Sequence, residues 1–305
     1  MVLFKIKIMR QSLLFIAIVS FCCSCKAQPA AEKLASNPDN NSLLWEVSGK
    51  GLKEPSYLFG TFHLMCKGDI LISEQLKKAI NNSDKVYMEL DMDDPSVMLG
   101  GLLMMNMKGG KKLKDLYTPE EYEKLSNFFK DSLHMPIGFM EHTKPYFLVA
   151  MLYPKMMPCK NVSGVEEQLM KLAKAGHKEI KGLETMQFQA SVFDSIPYEE
   201  QAKELMKSID SIDVYAKYFD TMVHVYKSQQ LNDMQDLFTK SEYGMEEHQD
   251  ILLDNRNKNW VGQLKTIMKE KPVFVAVGAG HLVGEKGLIA LLKKEGYTLR
   301  PLVNK

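Results

Sequence analysis

The chain has 305 residues, of which 45% are hydrophobic and 25% charged, and its formal net charge is +1. This composition is ordinary for a soluble globular protein. Removing a predicted leader of 24 residues takes away three basic residues, so that 36 basic residues face 38 acidic ones. This balance argues against a nucleic acid partner.

The N-terminus predicts export and a lipid anchor. Basic residues precede the apolar run "SLLFIAIVSF", which is too short to cross a bilayer as a helix but suits a signal peptide. Ser24 before Cys25 resembles the cleavage site of bacterial lipoproteins, where the new N-terminal cysteine is acylated. We therefore predict a lipoprotein signal peptide over 1–24, a lipid anchor at Cys25 in a bacterial membrane, and an extracytoplasmic location. A plain cleaved signal peptide is the alternative.

Residues 25–41 are predicted to form a flexible tether, and residues 42–305 a single domain. The domain opens with two strand patterns, "SLLWEVSG" and "SYLFGTFHL", joined by a segment whose Gly and Pro suit a hairpin turn. A helix capped by Ser73 follows, and then "KVYMELDM" predicts a strand over 85–92 that ends in acids.

The middle section is predicted to be largely helical. "TPEEYEKLSNFFKDS" begins with a capping box formed by Thr118 and Glu121. "VEEQLMKLAKAGH" is an amphipathic helix whose first-turn Glu166 suits a helix N-terminus. "KEIKGLET" then predicts a short strand with Glu184 at its C-terminal end, and helical patterns run almost unbroken from about 197 to 269.

The end of the domain repeats its beginning. "VFVAVGAGHLVG" places Gly278 and His281 in the same G-x-x-H relation as Gly60 and His63. Two such units at opposite ends of the chain predict one sheet in which both halves meet, because a terminal βαβ unit alone would leave a sheet edge unpaired. The expected fold is α/β, with a mixed central β-sheet flanked by helices.

Four side chains follow predicted strand ends and could carry chemistry: His63, Glu89, Glu184 and His281. In an open α/β sheet, functional side chains project beyond the carboxyl ends of the strands. Two imidazoles with one or two carboxylates suit a catalytic divalent metal ion. The alternative for each histidine is a packing or capping role. Spacing alone does not separate Glu89 from the acids that follow it, but strand alternation favours Glu89.

Arg256 and Arg300 are the arginines that follow the predicted leader, so lysine supplies the other positive charges. We expect Arg256 to use its planar fork, either on a carboxylate of the site or on an oxyanion of the substrate. A surface helix arginine is the alternative. Cys66 and Cys159 also follow the leader, and the sequence leaves open whether they form a disulfide or remain two buried thiols.

These features together resemble the TraB/GumN family, which is related to the Tiki metalloproteases. The matching segments are "YLFGTFHL", "VYMELD", "GLET", "RNKNW" and "VAVGAGHL", in family order over roughly residues 42–303. The resemblance implies an erythromycin-esterase/ChaN-like fold and a site shared by two histidines and a glutamate. Tiki proteins are membrane-tethered peptidases that use manganese or cobalt. ChaN-like relatives are lipoproteins that bind haem iron, and erythromycin esterases hydrolyse a lactone without metal.

We therefore expect a membrane-anchored, metal-dependent hydrolase that cleaves a peptide or protein substrate. Manganese or cobalt is the expected ion, with zinc as a further candidate. His63, Glu89 and His281 would ligate the ion. Glu184 would act as base and Arg256 would stabilise the oxyanion, and the roles of the two glutamates are exchangeable. The alternative is a non-catalytic lipoprotein that binds haem or a metal through the same histidines.

Overall fold

The computed structural model describes residues 34, 35, 37, 41–239 and 248–305. The predicted signal peptide and Cys25 lie outside the described residues. Four residues of the predicted tether are described, at positions 34, 35, 37 and 41, and the first three of them lie against the domain. Leu34 is buried in the core, Val303 N donates to Ala35 O at 3.0 Å, and Asn37 N donates to Pro301 O at 2.9 Å. In the described part of the chain, no helix has both the length and the apolar character needed to cross a bilayer.

The described residues form eight strands and twelve α-helices. The strands are β1 (Leu44–Ser48), β2 (Ser56–Thr61), β3 (Met65–Cys66), β4 (Lys85–Met88), β5 (Val162–Ser163), β6 (Glu179–Gly182), β7 (Val273–Gly278) and β8 (Thr298–Pro301). The helices are α1 (Glu74–Asn81), α2 (Pro95–Met104), α3 (Pro119–Leu133), α4 (Pro145–Ala150), α5 (Tyr153–Met156), α6 (Val165–Ala175), α7 (Met186–Asp194), α8 (Tyr198–Asp210), α9 (Ile212–Ser228), α10 (Leu231–Thr239), α11 (Asn255–Glu270) and α12 (Leu288–Lys294).

Six strands form the central sheet, in the order β6-β4-β7-β2-β1-β8. The four strands β6, β4, β7 and β2 run parallel to one another, whereas β1 is antiparallel to both β2 and β8. The sheet is therefore mixed, and helices flank it. This confirms the α/β fold class predicted from the sequence.

The two ends of the chain meet in the middle of this sheet. β2 pairs in parallel with β7, so that Gly60 lies opposite Val277 and Thr61 opposite Gly278. His63 and His281 each follow one of these neighbouring strands. Because the carboxyl ends of parallel strands share one edge of a sheet, both histidines reach the same edge.

The helix starts that local signals predicted are confirmed. Ser73 accepts from Leu76 N at 3.1 Å at the start of α1. At the start of α3, Thr118 and Glu121 form the reciprocal bonds of a capping box. The long helical stretch is broken, however, at Ser211 and at Gln229, whose φ of 58° is left-handed and ends α9.

Two predicted strands end earlier than their sequences indicated. β4 ends at Met88 and β6 at Gly182, so Glu89 and Glu184 lie just beyond them. Here the backbones cross closely, and a Cβ on Gly182 would lie 2.7 Å from Asp91 N. Regular pairing therefore stops, although Glu184 N still donates to Glu89 O at 3.0 Å.

A small second sheet and a disulfide lie beside the carboxyl edge of the central sheet. β3 pairs with β5 in antiparallel fashion, with Met65 opposite Ser163. Cys66 and Cys159 form a disulfide that links residues 93 positions apart. Of the two alternatives that the sequence left open, the disulfide is therefore the one observed.

Candidate functional site

Three of the predicted site residues surround one point above Gly278. A Cβ on Gly278 would lie 3.3 Å from Glu89 Oε1, 3.7 Å from His281 Cδ2 and 3.8 Å from His63 Nε2. A side chain at position 278 would therefore fill the space where the carboxylate and the two imidazoles meet. Glycine at this position allows the three groups to share one hollow.

His63 lies at the exposed side of this hollow. It follows the end of β2, and 73% of its side chain is exposed. Its Nδ1 lies 2.7 Å from Glu166 Oε1. Desolvation lowers the pKa of His63, but the charge and the hydrogen bond of Glu166 outweigh it and raise this pKa to about 9. Because water screens the exposed imidazole, the contribution of this pair to stability is small.

Glu89 is buried among donors. Arg256 Nη2 donates to its Oε2 at 2.5 Å, and Gly278 N donates to its Oε1 at 2.8 Å. Burial opposes ionisation of this carboxyl, but the basic groups around it, His281 and Arg256 foremost, lower its pKa to about 2. Glu89 is therefore a carboxylate at neutral pH.

Glu184 is almost fully enclosed, with 1% of its side chain exposed. Arg256 donates to it through Nη2 at 2.5 Å and through Nε at 3.2 Å. Trp260 Nε1 donates to Oε2 at 3.2 Å, and Gln189 Nε2 donates to Oε1 at 3.0 Å. Burial nevertheless raises the pKa of Glu184 above its ordinary value, against the effect of Arg256.

Arg256 is the centre of the cluster. Besides the two glutamates, its Nη1 contacts Leu252 O at 2.9 Å and His281 Nε2 at 3.1 Å. A guanidinium has five N–H donors, and these partners occupy all five. As expected, the guanidinium of Arg256 binds carboxylates of the site, and it binds two of them. In this arrangement Arg256 has no N–H left to meet a substrate oxyanion.

The main chain before α11 contributes a carbonyl group that binds this arginine. Residues Asp250–Asp254 form a π-helical turn, in which Asn255 N bonds to Asp250 O, five residues back. Within this turn the carbonyl of Leu252 accepts a hydrogen bond from Arg256 Nη1 at 2.9 Å. Such turns are frequent at functional sites.

His281 is buried and neutral. Its Nδ1 lies 2.7 Å from Asn257 Oδ1, and because an amide oxygen only accepts, the proton belongs on Nδ1. Nε2 is then the acceptor from Arg256 Nη1. Desolvation, helped by the charge of Arg256, lowers the pKa of His281 to about 3 against the attraction of Glu89.

The donor chemistry of this set fits a divalent metal ion. Both histidines bind a protein acceptor through Nδ1 and leave Nε2 toward the site, as metal-ligating histidines do. Glu89 adds a carboxylate. Arg256, however, holds His281 Nε2 and Glu89 Oε2, and within the described residues no three His, Cys, Asp or Glu side chains are grouped closely enough for one ion. Ion binding therefore requires Arg256 Nη1 to leave His281.

Several residues of the site were not predicted from the sequence. Glu166 was interpreted as a helix-start acid, since 103 positions separate it from His63. Asn257 and Trp260 lie in the "RNKNW" segment, but only Arg256 stood out there. Gln189 carried no signal, because a single glutamine on a helix has no characteristic spacing.

The fold and the site define an α/β protein whose two G-x-x-H turns, two glutamates and an arginine share one sheet edge. The model of the TraB/PrgY/gumN family matches residues 43–301, and the chain belongs to this family.

Named relatives are similar at low identity. Metalloprotease TIKI1 of Danio rerio is 21% identical over 85% of this chain and 63% of the relative. Metalloprotease TIKI2 of Xenopus tropicalis is 23% identical over 86% of this chain and 60% of the relative. Uncharacterized protein YbaP of Escherichia coli (strain K12) is 24% identical over 78% of this chain and 87% of the relative. The chain spans about three fifths of the length of these TIKI relatives. No solved structure matches the chain.

Proposed function

We propose that the protein is a divalent-metal-dependent hydrolase of peptide bonds, held at the extracytoplasmic side of a bacterial membrane by a lipid at Cys25. The observation that carries the proposal is the meeting of Glu89 with two imidazoles, each bound through Nδ1, above Gly278. The relatives named metalloproteases support the same class of reaction.

In this proposal His63, Glu89 and His281 hold the ion. A bound divalent ion supplies an acidified water or a polarised carbonyl. His63 forms the solvent-exposed side of the site, where a peptide can approach, and Glu89 contributes a carboxylate that is ionised at neutral pH. Manganese or cobalt is the proposed ion, with zinc as the further candidate.

The two glutamates have different roles in this proposal. Glu184 is enclosed by Arg256, Trp260 and Gln189. This position allows it to hold the arginine, but it gives water little access to the carboxylate. Glu89 lies at the hollow itself. We therefore assign Glu89 to the ion in the hollow and Glu184 to holding Arg256 in place.

The test uses the full-length protein purified in detergent and a peptide library read by mass spectrometry. Cleavage should require added Mn²⁺, Co²⁺ or Zn²⁺ and should be lost in His63→Ala and His281→Ala. His224→Ala, at an exposed position on α9, is the matched control and should keep full activity. Metal-independent cleavage, or a Soret band on haem addition without cleavage, would contradict the proposal, and the latter outcome would favour the haem-binding alternative.

The anchor has its own test. Cys25→Ala should release the protein from the membrane fraction, while Cys66→Ala should leave it there. Protein that stays membrane-bound after the Cys25 change would show that the tether does not depend on this cysteine.

A further inference from the structure

Glu166 makes a contact that the proposed reaction does not by itself explain. His63 exposes most of its side chain, so its ring is free to rotate unless a neighbour holds it. Glu166 Oε1 lies 2.7 Å from His63 Nδ1, although the two residues come from distant segments. Because Glu166 hydrogen-bonds directly to this exposed ring, it can set the orientation of the ring.

Glu166 is itself fixed in place. It is the second residue of α6, where the helix N-terminus favours a carboxylate, and its side chain is only 12% exposed. Val165 N donates to Phe62 O at 3.0 Å. A Cβ on Gly164 would lie 2.6 Å from His63 O, so a glycine is needed for the two backbones to approach this closely.

The two segments are also joined beyond the pair. Cys66 lies opposite Val162 in the small sheet, Lys67 N donates to Asn161 O at 2.9 Å, and the disulfide to Cys159 follows. The segment with His63 and the segment with Glu166 are therefore fixed to each other by strand pairing and by a covalent bond. This support indicates a built arrangement rather than a casual surface ion pair.

We propose that Glu166 is the positioning residue for His63. By accepting a hydrogen bond from Nδ1–H, its carboxylate fixes the ring so that Nε2 points toward the hollow beside Glu89. The use of Nε2 as a metal ligand rests on the proposed function, whereas the fixed orientation does not.

The first test measures metal binding rather than turnover. In the full-length protein, Glu166→Ala should weaken Mn²⁺ or Co²⁺ binding about 10-fold to 100-fold in calorimetry, the range for residues that orient metal ligands. It should also change the visible absorption of the Co²⁺ form. Glu166→Asp should recover part of the loss, because it keeps the carboxylate. In a His63→Ala background, Glu166→Ala should have no further effect.

Glu167→Ala is the matched control. Glu167 is the next residue of the same helix turn, but its carboxylate binds Ser163 and Lys171 instead of His63. The affinity of the Glu167→Ala protein for Mn²⁺ or Co²⁺ should stay within about twofold of wild type. Equal losses in the Glu166 and Glu167 variants, or an unchanged affinity in a folded Glu166→Ala protein, would overturn the inference.

A second measurement separates the inference from the proposed function. In metal-free protein labelled with ¹⁵N-histidine, His63 should give a hydrogen-bonded Nδ1–H signal that is lost in Glu166→Ala and kept in Glu167→Ala. If the wild type binds none of the ions but shows this signal, the proposed function fails and the positioning role stands. If the signal is the same in wild type and Glu166→Ala, the positioning role fails whatever binds.

Discussion

At the scale of single residues, the charge of Arg256 determines how the site is held together. Two buried carboxylates, Glu89 and Glu184, share this one guanidinium. Removing one partner of a buried ion pair leaves an uncompensated charge, which costs about 3–5 kcal/mol. We therefore expect Arg256→Gln to lower the free energy of unfolding by about that amount, measured by urea denaturation.

Arg300→Gln is the comparison for this prediction. Arg300 pairs with Glu46 at 2.7 Å, but its side chain is 24% exposed, so its loss should cost about 1 kcal/mol. Equal costs for the two substitutions would mean that the Arg256 cluster is not a special stabilising centre.

The buried His281 predicts a dependence of stability on pH. Its pKa is about 3 in the folded protein and close to 6.5 in the unfolded chain. The unfolded state therefore binds a proton below pH 6.5 that the folded state does not, and stability falls as the pH drops. The slope from this residue is about 1.4 kcal/mol per pH unit between pH 6.5 and the onset of carboxylate titration.

His63 does not offset this slope. Its folded pKa of about 9 is raised, so its contribution is complete below pH 6.5 and is lost only as the pH rises toward 9. Urea unfolding at pH 6.5 and pH 5 checks the prediction in the wild type and in His281→Gln. The variant should lose most of the acid slope, and an unchanged slope would assign it to other groups.

At the scale of secondary-structure elements, β2 packs tightly against the turn that carries His281. A Cβ on Gly60 would lie 2.8 Å from Leu282 Cδ1 and 3.1 Å from Ala279 Cα. Because the second atom belongs to backbone, Gly60→Ala should overpack this contact and cost about 1–3 kcal/mol. Thermal or urea unfolding measures the loss.

Gly262→Ala gives the opposite expectation. Gly262 is exposed within α11, and a Cβ there meets no atom within 4 Å. Alanine is a better helix former than glycine, so this change should stabilise by up to about 1 kcal/mol. If both substitutions moved stability in the same direction, the close packing of β2 on the 279–282 turn would not be the cause.

Elements that depend on local signals could be predicted from the sequence. Ser73 and the Thr118 capping box mark their helix starts because a cap satisfies the N–H groups of the next few residues. The early end of β4 at Met88 could not be predicted, because the crossing of Gly182 over Asp91 depends on a segment some 90 positions away.

At the scale of the whole molecule, the repeated G-x-x-H pattern predicted that the two chain ends share one sheet, and the β2–β7 pairing confirms it. The pattern is informative because parallel strands bring their following loops to one edge. The contacts between side chains within the site could not be predicted from such a pattern. The pairing of His63 with Glu166 and the double contact of Arg256 arise from tertiary packing, which leaves no spacing in the sequence.

The Cys66–Cys159 disulfide is the covalent link at this scale, and it closes a loop of 93 positions beside the site. Cross-links of this kind stabilise mainly by restricting the unfolded chain, and typical losses on removal are about 2–5 kcal/mol. A Cys66→Ser, Cys159→Ser double variant should therefore unfold at a lower urea concentration than the oxidised wild type. A reductant should shift the wild type by the same amount and leave the double variant unchanged. If reduction left the wild-type midpoint where it was, then the β3–β5 pairing and the contact of Val165 with Phe62 would be sufficient to hold the two segments together.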